Sequence, residues 1–154
     1  MIQIRKATDA DINALIKARC KTMREVCGFC DDYEFSAGFM EATKEYFMNG
    51  DGTTVIAIDD SCEPSQIVGN ATLCYINLMP TFSHPSGKRA HLMNVHVEKD
   101  FRRKGIAHKM IEFLEAEAKK RSVTEISLDA TDEGWKLYET MGWHINNEAM
   151  VKDL

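Results

Sequence analysis

The segment from residue 90 to residue 121 constrains the fold more than any other part of the chain. It begins with an apolar strand-like run, residues 90–97, and passes through a basic turn that contains Gly105. Beyond the turn, apolar side chains recur at the three- and four-residue spacing of one helical face: Ile106, Ala107, Met110, Ile111, Leu114 and Ala118. The sequence therefore predicts a strand, a tight turn and an amphipathic helix in direct succession.

The predicted turn has the chemistry of an anion-binding site. The first backbone N–H groups of a helix have no partner within the helix and carry partial positive charge. Gly105 lets the backbone approach a ligand because it has no Cβ. Arg102, Arg103 and Lys104 add formal charge for a phosphate or pyrophosphate. The P-loop and G-x-G-x-x-G signatures do not occur in the sequence. A surface helix with an ordinary basic start is the alternative interpretation.

Length and charge restrict the functional classes. A chain of 154 residues is expected to form one domain, residues 1–154. The net charge of −5 argues against a nucleic-acid partner, because polyanions favour basic proteins. No apolar run approaches the roughly 20 residues that span a bilayer, and no signal peptide begins the sequence. We therefore expect a cytoplasmic protein without a membrane partner.

The five cysteines, at positions 20, 27, 30, 62 and 74, are expected to be free thiols. Cys27 and Cys30 form a C-x-x-C pattern, but the pattern follows a predicted helix, whereas a redox pair is expected at a helix start after a strand. A zinc site would need a second such pair, which the sequence lacks. No metal site is expected, and a thiol–disulfide function is retained only as a minor hypothesis.

The other elements are predicted from periodicity and turn signals. Ile2 and Ile4 alternate with polar residues in a short strand, and the Thr8–Asp11 run begins a helix that ends near Gly28. The further predicted elements are a helix at 33–48, strands at 53–58, 66–78, 90–97 and around Ile126 and Leu128, a short helix from Thr131 or Asp132 to Gly142, and a last strand at 143–151. Gly69 marks a candidate bulge, and the loop 80–88 is a candidate pocket border. This order predicts a mixed α/β sheet with helices on both faces.

Two motifs in this order resemble those of the GNAT superfamily, the acyl-CoA-dependent N-acyltransferases. The run 102–107, Arg-Arg-Lys-Gly-Ile-Ala, resembles the [Q/R]-x-x-G-x-[G/A] motif of that family. The segment 128–143 resembles the family's strand, helix and Leu-Tyr…Gly-aromatic ending, with Tyr138 in the Leu-Tyr pair. The likeness covers nearly the whole chain. It implies a GNAT-like mixed central sheet whose fourth and fifth strands are splayed, with the cofactor between them.

The resemblance also implies an activity and a set of cofactor-binding residues. The activity is transfer of an acetyl group from acetyl-CoA to a primary amine of a small molecule or peptide, by direct attack on the thioester and without a metal. The N–H groups of residues 103–108 would bind the pyrophosphate, and the exposed backbone near Val95 would pair with the pantetheine arm and polarise the thioester carbonyl. The implied cofactor-binding residues are Val95, His96, Val97, Arg102, Arg103, Lys104, Gly105, Ile106, Ala107, His108 and Thr131. Many family members carry Asn near Thr131, so a hydroxyl would replace an amide at that contact.

Two side chains are candidates for catalysis. Tyr138 matches the family's tyrosine, the usual general acid, and a phenol with a pKa of ~10 is protonated at neutral pH. An amine with a pKa of ~10.4 is mostly protonated at that pH, so a base or a water chain must help. His96 is the candidate base because histidine titrates in the useful range; Glu98 and Asn94 lie nearby. Strand alternation would put Asn94 and His96 on the face opposite the valines at 95 and 97.

The acceptor is not identified by the sequence, because GNAT folds act on many acceptors. The acidic residues Asp31, Asp32 and Glu34 weakly indicate a cationic acceptor, and the preferred alternative is that they only solvate a loop. In the family, the helical region around 33–48 covers the acceptor site. Dimers are common in the family, so a homodimer is an open expectation. A non-catalytic acyl-CoA-binding regulatory module is the competing function, and the presence of Tyr138 favours the enzyme.

Overall fold

The computed structural model describes residues 1–61 and 63–154, which form five strands and four α-helices. The strands are β1 (Ile2–Lys6), β2 (Gly52–Asp59), β3 (Gln66–Asn77), β4 (Lys88–Val97) and β5 (Glu125–Leu128). The α-helices are α1 (Ile12–Cys27), α2 (Ala37–Asn49), α3 (Ile106–Lys120) and α4 (Asp132–Thr140). Short 3-10 turns lie before α1, at Asp9–Asp11, and before α3, at Lys99–Phe101.

The strands form one sheet in the order β1-β2-β3-β4-β5, antiparallel up to β4 and parallel between β4 and β5. Helix α3 provides the crossover that a parallel pair requires. β5 pairs with β4 only from Arg89–Glu125 to Leu92–Leu128, whereas β4 continues to Val97. The predicted separation of the fourth and fifth strands is therefore confirmed, and residues 93–97 leave an edge of β4 that β5 does not cover.

Helix α3 packs on one face of the sheet through the apolar stripe that its periodicity predicts. Five stripe residues are at most 4% exposed: Ile106, Met110, Ile111, Leu114 and Ala118. They share one core with buried sheet residues, among them Val55, Ala57, Val68, Ala71, Leu73, Ala90 and Leu92. Burying a side chain such as Leu or Ile contributes roughly 1.5–3 kcal/mol, so this stripe holds the crossover against the sheet. Helices α1 and α2 pack together on the other side, where α1 contacts β3 and β4.

Strand β4 contains an irregularity that sequence alternation does not predict. The register between β3 and β4 shifts between Asn70 and Thr72, and Asn94 has a left-handed backbone with φ +57°. An extra residue therefore lies in β4, as in a β-bulge. Val95 packs in the α3 core, whereas Met93 and Asn94 both line a cavity on the α1–α2 side. The bulge predicted at Gly69 is confirmed by the register shift opposite it, between Ala57 and Ile58.

The first two helices begin and end at residues with clear capping chemistry. Thr8 and Asp11 form a capping box, and α1 stops at Gly28 with φ +69°, as predicted. Helix α2 begins at Ala37 and not at residue 33, because the Ser36 hydroxyl accepts from the Phe39 N–H at 3.2 Å and caps the helix there. Phe29, Tyr33 and Phe35, which precede the helix, instead form an aromatic cluster with Phe39 of α2.

The predicted last strand, residues 143–151, does not form. Beyond α4 the described chain contains no strand, and Ile145, Met150 and Val151 are 61%, 96% and 98% exposed. The Asn146 side-chain oxygen accepts from the Glu148 N–H at 3.0 Å, a local bond of the kind that competes with strand pairing. Trp143 alone of this segment packs against the core. Among the described residues, no helix has the length and apolarity that a membrane span requires.

We expect Asp11 to stabilise the start of α1 in a pH-dependent way. Its carboxylate accepts two bonds from Arg5, at 2.8 and 2.9 Å, and one from the Thr8 N–H at 2.7 Å. Chiefly through Arg5, these contacts hold the pKa of Asp11 well below its ordinary value of 3.8. Because the folded-state pKa is lowered, the stabilisation is present above that ordinary value and is lost as the pH falls towards the folded-state pKa.

Asp11→Ala should lower the free energy of unfolding by about 1–2 kcal/mol at pH 7. The difference from the unsubstituted protein should shrink in urea titrations carried out below pH 4, since the Asp11 carboxyl of the unfolded chain then becomes protonated while that of the folded protein stays ionised. Asp9→Ala is the matched control, because Asp9 is exposed in the same first turn and has no ion pair among residues 1–61 and 63–154. Equal losses for the two variants would contradict this account.

Candidate active site

The turn between β4 and α3 presents a run of backbone N–H groups. Arg103 and Gly105 have left-handed backbones with φ +62° and +76°, and alternating handedness of this kind makes successive N–H groups converge. The first main-chain bond of α3 runs from the Lys109 N–H to the Gly105 oxygen at 3.1 Å. The N–H groups of residues 103–108 have no acceptor in the described part of the chain. They are adjacent donors of the kind that bind phosphate oxygens.

Gly105 stands in open space. A Cβ added there would meet no other atom of the protein within 4 Å. Glycine is therefore favoured at this position by the positive φ and not by crowding from neighbouring atoms. Ile106 anchors the start of α3 in the core at 4% exposure, Ala107 is half-buried, and His108 lies 3.2 Å from Glu112 one turn further on. The amides of the turn are thus held by a buried stripe while the side above Gly105 stays open to a ligand.

The three cations of the turn have different surroundings. Arg102 donates from Nε to the Val97 oxygen at 2.8 Å and pairs with Glu25. Lys104 donates to the Asp100 oxygen at 2.9 Å, and its Nζ is 5.0 Å from the ring centroid of Phe101. Arg103 is exposed and has no side-chain partner among the described residues. Arg103 is therefore the cation of the turn whose charge is most available to an anionic ligand.

Glu25 of α1 joins the turn to β4. Its carboxylate accepts a hydrogen bond from Arg102 Nη2, and its other oxygen lies 3.0 Å from His96 Nε2. Arg102 first, and His96 to a smaller degree, lower the pKa of Glu25. His96 itself is 9% exposed. The sequence analysis did not identify Glu25, because its partners His96 and Arg102 lie 71 and 77 residues away along the chain.

The predicted backbone site on β4 lies directly beside this cluster. Val95 and Val97 pack towards α3, while His96 reaches Glu25 on the α1 side, so the predicted separation of these side chains is observed. The bulge removes Asn94 and Val95 from regular pairing with β3, and the Asn94 oxygen instead accepts from Asn70 Nδ2 at 2.7 Å. Beyond Leu92 the edge of β4 is not covered by β5, so its backbone groups remain accessible to an added extended ligand.

Helix α4 carries the predicted tyrosine. Thr131 caps the helix, its hydroxyl oxygen accepting from the Gly134 N–H at 3.3 Å, so that hydroxyl already has a structural role. The ring of Tyr138 packs against the core and lies edge-on to Trp143, with centroids 5.8 Å apart. Burial raises the pKa of Tyr138 above 10.0. Its hydroxyl has no hydrogen-bond partner in the part of the chain that is described, and it is free to donate to a ligand.

A cavity of about 280 Å³ lies between α1, α2 and the sheet strands β3 and β4. Its polar end holds Arg19 and Asn94, and its walls include Phe39, Phe47 and Met93. A smaller cavity of about 100 Å³ lies nearer β1. Neither cavity is lined by the loop 80–88 or by the acidic residues 31–34. Sequence reasoning did not find the larger cavity, because its lining comes from four elements that are distant along the chain.

The described residues contain no group of three or more His, Cys, Asp or Glu side chains close enough to hold a metal ion. Cys20, Cys27, Cys30 and Cys74 are free thiols, as predicted. Cys27 and Cys30 are exposed at and beyond the end of α1. The fifth cysteine, Cys62, lies outside the described residues.

Several solved structures share this fold over nearly the whole chain. The chain is 25% identical to a predicted acetyltransferase from Clostridium acetobutylicum whose crystal structure was determined with acetyl-CoA, over 99% of this chain and 96% of that chain, with a TM-score of 0.85. A GCN5-related N-acetyltransferase from Ralstonia eutropha is 23% identical over 100% and 99% of the two chains, with a TM-score of 0.76. A glucosamine-6-phosphate N-acetyltransferase from Arabidopsis thaliana is 21% identical over 99% and 98%, with a TM-score of 0.71.

A search of curated protein sequences gives no significant match. The family model of the GNAT acetyltransferases, by contrast, matches residues 15–143, from α1 through the turn and α4 to Trp143. The splayed strands, the run of free amides and the tyrosine on α4 all fall within this match. The chain belongs to the acetyltransferase (GNAT) family.

Proposed function

We propose that the protein is an N-acetyltransferase that moves an acetyl group from acetyl-CoA to a primary amine. The observation that carries this proposal is the pair of backbone sites at the end of β4: free N–H groups at residues 103–108 and an uncovered strand edge at 93–97. A diphosphate and an amide-containing arm are the two chemical parts of CoA that such sites would recognise. The Clostridium relative determined with acetyl-CoA supports the same assignment.

The turn fits the cosubstrate through main-chain donors more than through side chains. The amides of 103–108 would hold the pyrophosphate, and Arg103 would add charge, since Arg102 and Lys104 already have partners. The backbone of Val95, His96 and Val97 would hold the pantetheine amides. Val97 would contribute mainly its N–H, because its oxygen accepts from Arg102. An N–H at the bulge near Val95 would polarise the thioester carbonyl.

The reaction forms one C–N bond and breaks one C–S bond. The neutral amine nitrogen attacks the acetyl carbon directly, the amine releases a proton, and the sulfur leaves as a thiolate that must be protonated. The cysteine lining the cavity, Cys74, does not favour an acyl-cysteine route, since burial raises the pKa of its thiol and keeps it protonated. Direct attack therefore needs a proton donor for sulfur and a route for the amine proton.

Tyr138 is the proposed proton donor. Its raised pKa keeps the phenol protonated well beyond neutral pH, and its hydroxyl has no competing partner among residues 1–61 and 63–154. His96 is the proposed acceptor of the amine proton. Glu25, 3.0 Å from His96 Nε2, would orient the imidazole as a carboxylate does in many catalytic sites. His96 does not line the larger cavity, so the proton would pass to it through water. The acceptor would be a small-molecule or peptide amine, and the protein would act as a single domain in the cytoplasm.

The direct test is release of free CoA thiol from acetyl-CoA in the presence of a panel of primary amines, with mass detection of the acetylated product. Amine-dependent thiol release is the expected result. Tight binding of acetyl-CoA without turnover on any amine would instead favour the regulatory-module hypothesis. Failure to bind CoA at all would remove both.

Gly105→Val should weaken CoA binding by at least roughly tenfold, because a branched side chain at φ +76° strains the turn and projects over the free amides. Calorimetric titration with CoA measures the loss, and hydrogen exchange should show CoA-dependent protection of amides 103–108. Gly28→Val is the matched control, since Gly28 has a similar φ of +69° and equally open surroundings but lies outside the turn. Unchanged affinity after Gly105→Val would exclude this turn as the binding site.

Tyr138→Phe should lower kcat by about 10²–10³-fold while leaving the affinity for CoA unchanged, because only the proton donor is removed. Because burial raises the pKa of Tyr138, the rate of the unsubstituted enzyme should not fall on the alkaline side until the pH exceeds 10.0. Tyr33→Phe, on the exposed aromatic cluster, serves as the control. A kcat that is the same in Tyr138→Phe and the unsubstituted enzyme across pH would eliminate the role.

A further inference from the structure

The larger cavity, of about 280 Å³, has an unusual electrostatic composition. Its charged residue is Arg19 of α1, and none of the described residues that line it is acidic. Phe39, Phe47 and Met93 make much of the remaining wall apolar. Ligand pockets usually combine such walls with a few polar groups that fix orientation. Arg19 and the neighbouring Asn94 are the polar groups that occupy this position.

The Arg19 guanidinium is partly buried without a counter-ion. Its one side-chain hydrogen bond among the described residues runs from Nη1 to Asn94 Oδ1 at 3.3 Å. Burial lowers the pKa of Arg19, although an arginine remains charged at neutral pH. By contrast, four other arginines have side-chain carboxylate partners: Arg5, Arg89, Arg102 and Arg121. The Arg19 guanidinium is thus available to bind an anionic group of a ligand in the cavity.

Asn94 places this charge beside the site of chemistry. It lies in the β4 bulge, next to Val95, and its side-chain oxygen accepts the bond from Arg19. Its amide nitrogen is buried and has no hydrogen-bond partner within the described chain. A buried donor without an acceptor costs about 1–3 kcal/mol in folded proteins, so it calls for an explanation. An anion held at Arg19 would bring an acceptor atom to this end of the cavity.

We propose that the acceptor is a small amine that also carries a carboxylate, with Arg19 binding the carboxylate and the apolar wall receiving a hydrophobic substituent. This inference rests on the proposed acetyltransferase function and names its substrate class. The lining holds one cation, which matches the single charge of a carboxylate, and a planar guanidinium binds carboxylate in a bidentate manner. An acidic loop at 31–34 would suggest a cationic acceptor, but those residues do not line this cavity.

Transfer to this acceptor uses the steps of the proposed reaction. The neutral nitrogen bonds to the acetyl carbon and the C–S bond breaks, while the amine proton leaves to solvent through His96. Tyr138 protonates the leaving thiolate and regains its proton from solvent. The products are an N-acetylated carboxylate and free CoA thiol.

The test compares acceptors that differ only in the carboxylate. Leucine is paired with 3-methylbutan-1-amine, and phenylalanine with 2-phenylethylamine; putrescine and O-phosphoethanolamine represent cationic and phosphorylated amines. With saturating acetyl-CoA, kcat/KM should be roughly 10- to 100-fold higher for the carboxylated member of each pair, the range expected for a charge-assisted contact. A preference for the decarboxylated amine, putrescine or O-phosphoethanolamine would overturn the proposal.

Variants of Arg19 separate recognition from loss of folding. Arg19→Met should lower kcat/KM for the amino acids by roughly 10- to 100-fold but leave that for the decarboxylated amines unchanged. Arg19→Lys should retain part of the preference. Lys17→Met, an exposed lysine of the same helix, should behave like the unsubstituted enzyme. An equal loss for both members of a pair in Arg19→Met would assign Arg19 a structural role and overturn the proposal.

A binding measurement distinguishes this inference from the proposed function. N-acetyl-leucine and N-(3-methylbutyl)acetamide are titrated calorimetrically against the protein and against Arg19→Met. Arg19-dependent preference for N-acetyl-leucine supports the carboxylate site even if no amine is turned over, in which case only the enzymatic function fails. Turnover of amines together with no preference between these two amides contradicts the carboxylate site and leaves the acetyltransferase function intact.

Discussion

Strand β4 is paired with β3 along most of its length but with β5 only from Arg89 to Leu92, and the candidate site depends on that difference. β5 ends at Leu128 because the chain turns at once into α4, which Thr131 caps. β4 meanwhile continues to Val97, held from behind by the α3 core. The unequal lengths of two parallel strands therefore create an exposed edge within a sheet, a feature that proteins otherwise cover or blunt. A ligand that adds as a strand would provide hydrogen-bond partners for the backbone groups of this edge.

Around this edge, Arg102 and Lys21 are paired with carboxylates, whereas other cations are not. Glu25 joins His96 to Arg102, which ties the end of α1 to β4 and to the turn before α3. Arg103 and Arg19 have no carboxylate partner among the described residues, and they lie at the turn and in the cavity respectively. In a chain with a net charge of −5, we expect such local positive charge to bind small anionic groups in preference to polyanions.

The features that the sequence predicted correctly are those that depend on residues close together along the chain. The α3 stripe, the cap at Thr8 and the stop at Gly28 arise from interactions within a few residues, and each was found where expected. The predicted strand at 143–151 failed because a strand needs a partner, and local bonding at Asn146 competes with pairing. The contact between Glu25 and His96 joins residues far apart in sequence, so no spacing rule could have indicated it.

The same distinction separates the two halves of the candidate site. The cosubstrate half is proposed to use backbone N–H and C=O groups, whose placement needs only a glycine-containing turn and a strand edge, and such a turn leaves a recognisable sequence pattern. The acceptor half is proposed to use side chains from α1, α2, β3 and β4 around one cavity. Its specificity would then depend on which charge remains uncompensated after folding. Arg19 resembles the other arginines in the sequence, and only the packing of α1 against the β4 bulge leaves it paired with Asn94 and with no carboxylate among the described residues. Proteins that share the turn can therefore differ in acceptor through a few substitutions in α1 and α2, with the cofactor site unchanged.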